Sequence, residues 1–135
     1  MMTSFVAYAL SLVILLVIDL FWLLGPGRSF YVSEIGGLLR SQPQLGASLA
    51  FYLLYAAGLT YFGVMPSFKA SSAALALGQG ALFGLMAYAT YDLTNLAVLN
   101  GFTLRIALID MAWGTVLSGV TAWITTSILM KFVLV

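Results

Sequence analysis

The chain has neither cysteine nor histidine. Their absence removes disulfides, thiol nucleophiles, zinc sites, axial haem ligation by imidazole and the usual neutral-pH proton shuttle. Charge is nearly as scarce. Only 7% of the 135 residues are Asp, Glu, Lys or Arg, against roughly 25% in a soluble domain, so the chain has no water-facing surface to speak of. A net charge of +1 with no basic cluster leaves no footprint for nucleic acid and a feeble one for anionic lipid. No positive n-region or small-residue cleavage site marks the N-terminus, and the apolar stretch from Phe5 to Leu24 is of full spanning length, so it is read as a retained helix.

Apolar residues make up 63% of the chain. They fall into four runs, residues 4–24, 44–65, 71–99 and 103–130, each long enough at about 20 residues to cross a bilayer. Together they use almost the whole chain as a single domain. The expected fold is all-α, an integral membrane four-helix bundle solvated by the lipid bilayer. Gly25-Pro26-Gly27, Pro66 and Asn100-Gly101 break the runs. Within the first loop, Pro26 to Pro43, the apolar Tyr31, Ile35, Leu38 and Leu39 recur at helical spacing and predict a short interfacial helix, acting as a connector or a lid. Gly80 and Gly84 have the small-xxx-small spacing that lets another helix approach closely. Orientation is not readable, because Arg28, Arg40 and Arg105 on one side are matched by Lys69, Lys131 and the amino terminus on the other.

Three of the four acidic residues, Asp19, Asp92 and Asp110, fall inside predicted spans, where a charged side chain costs about 2.5–3.5 kcal/mol at mid-helix. The end of span one, the end of span three and the start of span four share one membrane side. At 1.5 Å per residue each acid lies roughly 7–11 Å below that interface. Helical periodicity places Trp22 on the stripe of Asp19, Tyr88 and Asn95 near Asp92, and Trp113 on the stripe of Asp110. Span two offers Ser48, Tyr52 and Tyr55 at the same end, each able to hydrogen-bond a carboxyl. The expectation is one polar pocket walled by Trp22 and Trp113, set against the plainer reading that buried polar groups hold the helices together. Ile-Asp-x-x-Trp occurs twice, at Ile18 to Trp22 and Ile109 to Trp113. With the spans antiparallel the two copies are not simply related by depth, so the repeat is read as coincidence.

The same residues carry a family likeness. Asp19-Leu20-Phe21-Trp22-Leu23, Phe30-Tyr31 with Ile35-Gly36, the run from Phe51 to Gly58, Tyr88-Ala89-Thr90-Tyr91-Asp92-Leu93-Thr94-Asn95 and the run from Asp110 to Thr115 resemble the signature of one bacterial family. It is the predicted membrane family known as domain of unknown function 2177. The resemblance covers essentially the whole chain and implies a small multi-pass protein of the bacterial inner membrane. It implies no catalytic residues, and the placing of relatives near lipid-modifying and stress-response genes implies a link to lipid.

Three functions are open on these residues. The first is a binding or transport protein, in which Asp19, Asp92, Asp110, Asn95, Tyr88, Trp22, Trp113 and Tyr52 hold a proton, a hard cation or a cationic or hydroxylated solute. Oxygen ligands suit a hard divalent cation, the one cofactor envisaged, and indole faces suit an organic cation. So short a chain would act as a homo-oligomer. The second is an enzyme or binding protein for a lipid headgroup or acyl chain, with the carboxylates holding a metal or acting as general acid and base. The third is a non-catalytic accessory subunit.

Overall fold

The computed structural model describes residues 1–133. Four helices are long and apolar enough to cross a membrane: Met2–Leu24, Leu45–Lys69, Ala73–Val98 and Leu104–Val133, here spans one to four. With the short helices between them they form an all-α membrane-embedded bundle, and Phe5, Val13, Leu54, Met86 and Val116 remain exposed on its lipid-facing surface.

Span four is the most enclosed of the four. It pairs with span three along most of its length and also packs on span one. Bilayer lipid supplies no hydrophobic drive between helices, so close packing has to come from small residues. Gly80 and Gly84 supply it: a Cβ on Gly80 would strike Ser118 O and Ala122, and one on Gly84 would strike Gly114 O and Ser118. The small-residue spacing is a packing device.

Span two departs from its sequence pattern. Pro66 was expected to end it, yet the helix continues to Lys69. Thr60 to Val64 form a π turn in which Met65 N–H bonds Thr60 O. The α-helix resumes after this widened turn with Pro66 as its second residue.

The first loop also differs. A single residue, Gly25, separates span one from a helix over Pro26–Ile35, with Pro26 in its first turn, the position where proline is favoured. Leu38 and Leu39 lie beyond that helix, because it passes into a 3-10 turn at Gly36–Leu38. This interfacial helix is docked on the start of span four. Phe30, Tyr31 and Ile35 pack on Phe102, Ile106 and Ala107. Thr103 Oγ1 donates to Glu34 Oε2 at 2.7 Å and accepts from Ile106 N–H at 3.2 Å, so a carboxylate sits at a helix N-terminus, where negative charge is favoured. Arg105 completes the clasp, 3.7 Å from Glu34.

Candidate functional site

Span one ends one turn after Asp19, so this carboxyl sits below the interface with only 5% of its residue surface exposed. Two donors from other helices meet it: Tyr52 OH at 2.5 Å and Trp113 Nε1–H at 2.9 Å. Asp19 therefore ties spans one, two and four together.

Asp110 on span four is met by Tyr31 of the interfacial helix, whose hydroxyl donates to Asp110 Oδ1 at 2.5 Å. Trp22 Nε1–H in turn donates to that hydroxyl at 3.1 Å. Burial above all, reinforced by the Asp110 contact, holds the Tyr31 phenol far above its usual range, so it remains a donor at every physiological pH. In the sequence Tyr31 reads as one residue of an apolar interfacial face, and no local pattern announces its bond to Asp110, 79 positions away.

The two Ile-Asp-x-x-Trp segments interlock. Trp113 of the second serves Asp19 of the first, and Trp22 of the first serves Asp110 of the second through Tyr31. Their indoles stack with centroids 4.6 Å apart and planes 14° from parallel. Stacking spends one face of each ring on the other, so the two tryptophans do not form an open aromatic wall on both sides. Trp113 lines the cavity at this end of the bundle and Trp22 does not.

Asp92 differs from both. Its residue is fully buried and, among the described residues, neither carboxyl oxygen has a hydrogen-bond partner, while the Asp110 carboxyl is a close neighbour. Asp19, Asp92 and Asp110 border one cavity of about 830 Å³ between span one, the interfacial helix and spans three and four, a volume typical of small-molecule sites. Tyr88 also lines it, its ring so close over span four that any Cβ on Gly114 would collide with it. Asn95 does not reach the cavity. In span two only Tyr52 reaches a carboxyl: Tyr55 OH pairs with Ser118 and Ser48 Oγ bonds Gln44 O in its own turn.

The donor set also bears on a metal. Among the described residues no three acidic side chains close into a metal-binding group, and Asp19 already spends its oxygens on Tyr52 and Trp113. A hard divalent ion held by Asp92 and Asp110 would take its remaining oxygens from water or a ligand. A proton or a compact monovalent or organic cation suits two facing carboxyls.

No curated protein and no solved structure matches the chain. Residues 4–127 match the family described as predicted membrane protein, DUF2177, and with nearly its whole length covered the chain belongs to that family.

Proposed function

We propose that the chain is a membrane binding or transport protein whose Asp92 and Asp110 carboxyls take up a proton or a cationic group from the cavity beside them. The carrying observation is Asp92, fully buried, with neither oxygen bonded and a second carboxyl facing it. Two carboxylates that face each other out of water cannot both keep their charge without something positive between them. Asp19 and Trp113 form the back wall, Tyr52 holds Asp19 from outside the cavity, Tyr31 with Trp22 orients Asp110, and Tyr88 closes the side toward span three. This reading carries with it a place in the bacterial inner membrane, a homo-oligomer as the transporting unit and no nucleic-acid partner.

Calorimetric titration of the detergent-purified protein with ethylammonium tests it. The wild type should bind, and Asp92→Asn should melt like the wild type and bind at least about tenfold more weakly, one charge-assisted bond having been lost. Unchanged binding in a stable Asp92→Asn protein would leave the buried acids as interhelical contacts only.

A further inference from the structure

The cavity has a basic rim as well as an acidic floor. Arg28, on the interfacial helix, and Arg40, just after it, both line it, and among the described residues neither is ion-paired. Arg105, the other cation at this end, is spoken for by Glu34 and lies over the Phe30 ring. Arg28 stands one turn before Tyr31, about 4.5 Å along the helix axis, and the Tyr31 hydroxyl touches Asp110. Two guanidinium groups and two carboxyls thus line the same cavity. The wall on the span-one side is apolar: Leu20, Leu23 and Leu24 line the cavity and keep much of their surface exposed, on a helix long and apolar enough to lie in lipid.

Guanidinium groups at the rim suit a phosphate, paired acids on the floor suit an ammonium, and an apolar wall continuous with the lipid-facing surface suits acyl chains. We infer that the cavity binds a phospholipid whose headgroup carries a primary amine. Its phosphate rests on Arg28 and Arg40, its ammonium reaches Asp92 and Asp110, and its chains leave along Leu20, Leu23 and Leu24. The ammonium contact rests on the function proposed above; the phosphate contact does not.

Native mass spectrometry on the detergent-purified full chain separates the two. The probes are phosphatidylethanolamine, phosphatidylglycerol, which keeps the phosphate and lacks the amine, and free phosphoethanolamine, which lacks the chains. The wild type should retain phosphatidylethanolamine over phosphatidylglycerol and bind free phosphoethanolamine weakly. Arg28→Gln/Arg40→Gln, at two exposed positions where folding is not at stake, should weaken both lipids about tenfold or more. Asp92→Asn should keep lipid binding and lose the preference for the amine. Equal lipid binding by wild type and the double arginine variant would overturn the phosphate contact and the inference with it. Tight binding of free phosphoethanolamine would overturn the lipid in favour of a soluble solute, and a wild type that does not distinguish the two lipids would overturn the ammonium contact and the function on which it rests.

Discussion

Asp19 and Asp92 are the same residue type at similar depth, and their surroundings set opposite expectations for the same substitution. Asp19 accepts from Tyr52 and Trp113, so Asp19→Asn places an amide N–H against one of two donors. Denaturant unfolding in detergent should show a loss of about 1–3 kcal/mol, the cost of a disrupted bond to a charged group. Asp92 has no donor to lose, and Asp92→Asn should change stability by less than about 1 kcal/mol; a larger loss there would mean that Asp92 holds the fold. Trp113→Phe should resemble Asp19→Asn, since it removes the indole N–H while keeping an aromatic ring against Trp22. That the three acids share one end of the bundle was legible in the sequence, because four spans and three breakers fix which ends coincide. The division of labour among them was not, since it depends on how each helix is rotated about its axis and on which tyrosine the rotation presents. Asn95 shows this: helical spacing puts it near Asp92, and its side chain still misses the cavity.

At the scale of elements, the pairing of spans three and four carries the sharpest contrast. Gly84 lies against Gly114 O and Ser118, whereas Gly78, two turns away, has open space around a built Cβ. Gly84→Ala should cost about 1–3 kcal/mol by forcing the spans apart, and Gly78→Ala should be neutral or stabilise by up to about 1 kcal/mol through helix propensity. Thermal melts of the two proteins decide it, and equal effects would contradict the close helix contact. This contact was visible as Gly80-x-x-x-Gly84. The course of span two was not, because Pro66 reads as a stop unless the π turn before it is known, and no residue pattern in Thr60 to Val64 announces an i to i+5 bond. The interfacial helix was half legible: its apolar face was predicted, but Pro26 signals a break and a helix start with equal force, and Gly36-Gly37 ends the helix before Leu38.

For the whole molecule, the fold puts the interfacial helix and the turn between spans three and four on one side and the turn between spans two and three on the other. Cysteines at Ser33 and Asn100 should label from the same face in sealed vesicles and one at Ala70 from the opposite face; Ser33 and Asn100 labelling from different faces would dissolve the common site. The three intramembrane acids gather at this one end, where a satisfied acid, an oriented acid and an acid without a donor border a single cavity. Cation uptake depends on the last of these. Its most direct test is proton release, followed with a pH-sensitive dye in weak buffer as ethylammonium is added to the purified protein near neutral pH. If Asp92 and Asp110 hold one proton between them until a cation replaces it, the wild type should release about one proton per cation bound and Asp92→Asn should release none. Cation binding by the wild type without proton release, or the same release from Asp92→Asn, would contradict it.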